Sequence, residues 1–151
     1  MTKGRLPQEI AQMLQSRRLE QVTANKDHAR SVIMMSQQHI QTAITLSKTT
    51  DHAMAFTSAY DAARKALAAV LSAEGLRVRP IGGAHHNTGI AAAAFVGQDA
   101  LTDFEWMRQI RNSTEYPSST RPSATQQDVF EAIEAATSIV NTCADYLSLK
   151  K

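Results

Sequence analysis

Cysteine is nearly missing from this chain: Cys143 is the only one among 151 residues. No intrachain disulfide can form, and a zinc cage built from cysteines is excluded. A reducing cytoplasm fits that usage best. A strong charge of one sign is missing as well. The net charge is +2, too small to attract nucleic acid by itself, so any affinity for phosphate must come from local clustering. Long apolar runs are absent: the longest, Ile90 to Val96, falls far short of the ~18 residues that cross a membrane. The N-terminus, MTKGRLPQEIAQ, has no apolar core of a signal peptide, which argues against secretion. Aromatics make up only 5% of the chain and prolines number four, so helices meet few breakers.

What is present is helical spacing. The chain suits a single domain spanning 1–151, with residues 1–24 as an N-terminal helical extension. Leu6, Ile10 and Leu14 mark a first helix from about Pro7 to about Val22. Asn25 is placed to cap a second, with Ala29, Val32, Ser36, Ile40, Ala43 and Ser47 along one stripe and Ile33 and Ile44 widening it. Thr50 or Asp51 caps a third, carrying Ala53, Phe56, Tyr60, Ala63, Leu67 and Val70, and Gly75 is placed to end it. LRVRPIGG reads as a loop. An alanine-rich helix follows from about His85 to Val96, and Gly97 breaks it.

A further helix begins near Gln98 with Leu101, Phe104, Met107 and Ile110, and stops before Pro117. PSSTRPSAT is a loop. The last helix runs from about Thr125 to Leu149, with Val129, Ile133, Ala136, Val140, Cys143 and Leu147 on one face. The expected fold is all-α: an up-and-down four-helix bundle with one or two additional short helices. Strands alternating with helices, as in a parallel α/β fold, are not seen.

Within RQIRNSTEYP, residues 108 to 117, the apolar spacing of Phe104 and Met107 continues onto Arg111. A guanidinium keeps its charge, so Arg111 needs a carboxylate, phosphate or carbonyl partner there. Asn112 lies about 100° further around the helix. Tyr116 is four residues beyond Asn112, on its side of the helix. On periodicity alone the simpler reading is an exposed Arg111–Glu115 pair, with Asn112 as a turn residue.

RNSTEYP, SAYDAARKALAAVLSAEGL (residues 58 to 76) and AHHNTGIAAAAF (residues 84 to 95), in this order, resemble the HEPN superfamily, the higher eukaryotes and prokaryotes nucleotide-binding domains. The resemblance covers roughly Asn25 to Leu149. Family members commonly carry arginine, then asparagine, then a histidine five positions after the arginine. Arg111 and Asn112 match; Tyr116 stands at the histidine position. The resemblance implies a homodimer with a cleft that takes RNA or a nucleotide phosphate. It also implies a nucleotidyltransferase or antitoxin as possible partner. In the family's ribonuclease toxins arginine and histidine cleave RNA without metal. A phenol has a pKa of about 10 and exchanges protons poorly near neutrality. Tyrosine still donates a hydrogen bond and stacks on a base. The expected activity is therefore RNA or nucleotide binding at Arg111, Asn112 and Tyr116, with little or no cleavage. A protein-interaction module and an active metal-independent ribonuclease are the alternatives.

Arg64, four residues after Tyr60, can extend the phosphate-binding surface or simply snorkel. Arg77 and Arg79 can touch a polyanion or serve solubility. Asp61 and Lys65 have the spacing of a solvated helix pair. His85 and His86 are adjacent and cannot share a helix face, so capping or flanking the short helix is their expected role. The six methionines suit core and interface filling. No phosphate-loop, dinucleotide, CxxC or HExxH pattern is present, and neither cofactor nor metal is implied.

Overall fold

In the structure, a computed structural model, residues 6–116 and 123–149 are described, apart from the side chain of Glu115. The described helices are α1 (Gln8–Gln15), α2 (Lys26–Leu46), α3 (His52–Ala73), α4 (Ala84–Val96), α5 (Gln98–Glu115) and α6 (Gln126–Leu149). Four are long and two are short, the all-α bundle expected. The loop after Tyr116 lies almost wholly outside the described residues, as does the carboxylate expected to pair with Arg111.

α3 is the central helix. It packs against α2, α4, α5 and α6. Its alanines at 55, 59, 62, 63, 66 and 69 are all buried, which lets neighbours approach closely, while Phe56, Tyr60, Leu67 and Val70 fill the spaces between. Each large side chain so buried contributes about 1.5–3 kcal/mol. Asn25 accepts from the amide of His28 and Asp51 from that of Met54, so both helix starts are capped as their sequence indicates. The α2 stripe is Ala29, Ile33, Ser36, Ile40 and Ala43; Val32 and Ile44 flank it half-buried. On α6 the buried set includes Ala132 and Ile139, and Ile133 sits at its edge. Cys143 is a free, fully buried thiol, its pKa pushed up to about 12 by burial.

The N-terminal segment departs from expectation. α1 stops at Gln15 instead of continuing towards Val22. The amide of Arg17 donates to the Leu14 carbonyl and that of Arg18 to Met13, a helix-ending pair that holds Arg17 left-handed at φ 63°. The chain then forms β1 (Leu19–Gln21), antiparallel to β2 (Leu76–Val78) inside the segment expected to be a loop. Leu19 faces Val78 and Gln21 faces Leu76. Three-residue strands are too short to show alternation, so periodicity does not reveal them. Gly75 makes the ribbon possible. It has φ 74°, and a Cβ there would lie 2.9 Å from the carbonyl oxygen of Val22. That segment bonds back to it, the Val22 amide donating to the Gly75 carbonyl at 2.8 Å.

α4 lies on α5 through Gly89. A Cβ at this position would come within 2.8 Å of the Phe104 ring and 3.1 Å of Leu101. At the other end of α5, the Thr114 hydroxyl accepts from the Ala124 amide, joining the helix end to the entry of α6. Among the described residues no helix is long and apolar enough to cross a membrane.

Candidate functional site: an arginine cluster on an aromatic floor

Three helices meet around the Tyr60 ring. Tyr60 and Arg64 share a face of α3 at i and i+4; Phe104, Arg108 and Arg111 share a face of α5 at i, i+4 and i+7. Tyr60 is fully buried and stacks on Phe104, with centroids 5.2 Å apart and planes 11° apart. The guanidinium carbon of Arg111 lies 5.5 Å from the Tyr60 centroid, within cation–π range. The apolar spacing that leads to Arg111 therefore ends in a flat cation lying on an aromatic surface. One turn before Tyr60 on α3, buried Phe56 lies edge-on to Trp106 at 5.9 Å.

α4 supplies the rim. His85 Nδ1 is 2.9 Å from the Tyr60 hydroxyl, and the His86 Nδ1 is 3.0 Å from Glu105. Burial pushes the Tyr60 phenol up to about 12, against the pull of Arg111, Arg64 and Arg108. Burial likewise lowers His85, and Arg64 and Arg111 lower it further. The phenol thus keeps its proton and the imidazole is held neutral. With the phenol donating to Nδ1, the ring's single proton sits on Nε2 as a donor. Glu105 feels burial upward, but the hydrogen bonds and charges of Arg108 and His86 outweigh it and keep the carboxylate below its usual range.

Two of the arginines are held by carboxylates one helical turn back. Arg64 lies 3.5 Å from Asp61, and Arg108 donates to Glu105 at 3.2 and 3.1 Å. Asp61 therefore faces Arg64 and not Lys65. Lys65 donates instead to His39 Nε2 at 2.8 Å, and burial first, then that charge, lower His39. Among the described residues no acceptor meets the buried Nε of Arg64.

Of the four residues expected at a site, the structure brings Arg64 and Arg111 together. Asn112 and Tyr116 face solvent, the phenol 76% exposed just past the end of α5. Tyr60, His85 and Arg108 complete the cluster and lie outside the expected set. Spacing carries a signal for Arg108, three before Arg111 on one face. Nothing local shows that His85 reaches Tyr60. His86 bonds across to α5, so the adjacent histidines join different partners instead of merely flanking the helix. Among the described residues no group of three or more His, Cys, Asp or Glu side chains is arranged to hold a metal ion.

The HEPN domain model of known families matches residues 29–146. The chain belongs to the HEPN family. The match begins in α2 and ends in α6, so it takes in the whole arginine cluster, while α1 and β1 of this HEPN protein precede it. Comparison with curated proteins finds no match, and comparison with solved structures finds none either.

Proposed function

We propose that this HEPN domain binds RNA or a nucleotide phosphate at Arg64, Arg108 and Arg111, with exposed Asn112 and Tyr116 as further contacts, and cleaves RNA little or not at all. The observation that carries the reading is that three guanidiniums, Arg111 on the Tyr60 ring and Arg64 and Arg108 near enough for their charge to act on the same phenol, gather at one place. Two are oriented by carboxylates and one lies on Tyr60, so little side-chain freedom is lost when an anion arrives. Arginine forks match phosphate oxygens bidentately. Tyr116 is exposed enough to stack on a base.

The test is anisotropy of a labelled single-stranded RNA. Arg111→Ala should weaken binding by about 10- to 100-fold, the worth of one or two charge-assisted hydrogen bonds, with helicity unchanged. A large fall in melting temperature with binding intact would instead make Arg111 structural and favour a protein-interaction module, such as one serving a nucleotidyltransferase or antitoxin. Cleavage is followed on the same RNA in EDTA. Tyr116→His restores the family spacing of arginine and histidine, and a placed acid–base group adds ~10²–10⁴-fold.

The ribonuclease alternative is favoured by one observation: His85 holds a neutral imidazole among the arginines, and a substrate that displaces the Tyr60 hydroxyl from Nδ1 would free that nitrogen as a general base. Wild-type cleavage lost in His85→Ala would establish that alternative. The homodimer belongs to the main reading and is supported by exposed Met34 and Met35 on α2 and Phe130 on α6. Light scattering at micromolar concentration should give twice the 16.5 kDa chain mass.

A further inference from the structure

The other concentration of arginine is at the ribbon. Arg17 and Arg18 precede β1, and Arg77 and Arg79 lie in and just after β2. Glu20 is the acidic residue of the ribbon, and it is taken by Arg77, at 2.6 and 2.9 Å. That leaves three cations. Beside them is a cleft of about 420 Å³ lined by Leu14, Arg17, Leu19, Glu20, Gln21 and Arg79.

The cleft is built, not merely decorated. Arg79 donates from Nη1 to the carbonyl of Arg17 at 3.0 Å, and its amide donates to the carbonyl of Arg18 at 3.0 Å. Arg18 is steadied by its Nε bond to the Ser16 hydroxyl at 2.8 Å. Arg17 occupies the helix-ending seat that glycine fills most cheaply, since L side chains are strained at φ 63°. An arginine there lines the cleft at a cost to the fold. Such strain points to use.

Position links the cleft to the first cluster. Arg79 is six residues before His85, and six residues reach at most about 22 Å. Half-buried Leu14, backed by buried Leu19, gives the cleft a small apolar wall that a sugar or base can cover, beside forks that suit phosphate. We propose that the ribbon cleft, through Arg17 and Arg79, is a second phosphate seat for the same single-stranded RNA that occupies Arg64, Arg108 and Arg111. The inference rests on the RNA reading of that cluster. It adds a phosphate seat that pairs Arg17, on the segment preceding the family match, with Arg79 inside it, so this chain's first turns lengthen the bound strand.

The experiment compares a dinucleotide, too short to span both places, with a single-stranded 12-mer, across a salt series. The variant is Arg17→Gly with Arg79→Gln. Glycine accepts the left-handed conformation and glutamine can still donate to the Arg17 carbonyl, so the ribbon is retained. The 12-mer should bind about tenfold more weakly, and its log–log salt slope should flatten by roughly 0.7 for each phosphate that is no longer neutralised. Dinucleotide binding should not change. Arg17→Gly alone should keep or raise the melting temperature while lowering 12-mer affinity, opposite signs that a folding defect cannot produce. An unchanged 12-mer affinity and slope, with Arg111→Ala weakening both RNAs, would overturn the second seat and leave the first. Equal loss for both RNAs would also overturn it. Wild type binding neither RNA would remove both readings.

Discussion

The two arginine groups of this HEPN protein are held in opposite ways. Arg111 lies on a buried aromatic pair, and Arg64 and Arg108 are held beside it by carboxylates of the same long helices, so these side chains are positioned by packing and by ion pairs. Arg17 and Arg79 stand at a three-residue ribbon, positioned by backbone hydrogen bonds and one left-handed residue. In the first group, floor and cations cannot be separated: what removes the ring disturbs the charge. In the second, charge can be removed with the backbone left in place. A cation's support decides whether its loss is felt as stability or as binding.

The sharpest way to break the contrast is Phe104→Ala. Phe104 is fully buried under Tyr60, and such truncations cost about 3–5 kcal/mol. Denaturant unfolding should show that loss, and RNA binding at the helical cluster should fall with it, while the ribbon cleft keeps its arrangement. A cost below about 1 kcal/mol would mean that the floor is not what positions the arginines. Next in size is Gly89→Ala. Alanine gains about 1 kcal/mol of helix propensity, but its methyl meets a ring already stacked on Tyr60, and overpacking costs about 1–3 kcal/mol. Crowding should win, with a net loss of about 1 kcal/mol by thermal melting. A gain in stability would show that Phe104 has room to move.

Acidification probes the helical side alone. His39 and His85 are both held below 6.5 in the folded chain, so the unfolded chain takes up protons first as the pH falls. Stability is full above about pH 6.5 and should decline below it, through the interval down to the folded values. Melting temperatures from about pH 7 to pH 5.5 should fall, and His85→Gln should flatten the decline. Glu105, with its lowered pKa, loses its contribution only in more acid solution. A flat profile in the wild type would mean these imidazoles are more open to water than their surroundings indicate. The smallest effect is expected at the ribbon surface: Arg77→Ala breaks an exposed pair with Glu20 and should shift stability by no more than about 1 kcal/mol in denaturant.

How much of this is legible in sequence follows the same division. Helix caps at Asn25 and Asp51 and the stripes of α3 and α6 depend on neighbours within one or two turns, and local spacing exposes them. Arg64 and Arg111 are readable for that reason, each set by i, i+4 or i, i+3 relations to aromatic or apolar side chains. The bond from His85 to Tyr60 spans 25 residues and leaves no periodic trace. The same is true of Lys65 to His39, which displaces the pairing with Asp61 that spacing alone suggests. The end of α1 is hidden for a different reason: the seat that glycine normally marks is filled by Arg17. The motif order identifies the family, yet it sets Arg111, Asn112 and Tyr116 on equal terms, and burial separates them. Arg111 lies on the floor, while the other two look outward.

The lone thiol offers one more consequence. Cys143 is shut inside the face of α6 turned to the core and is thiolate-poor at neutral pH, so a thiol reagent cannot modify it until that helix lifts. Its labelling rate is then a clock on the opening of the bundle, read at one atom without an introduced probe. With α6 packed on α2, α3 and α5, the clock should run at the pace of cooperative unfolding and not of fraying at the chain's end.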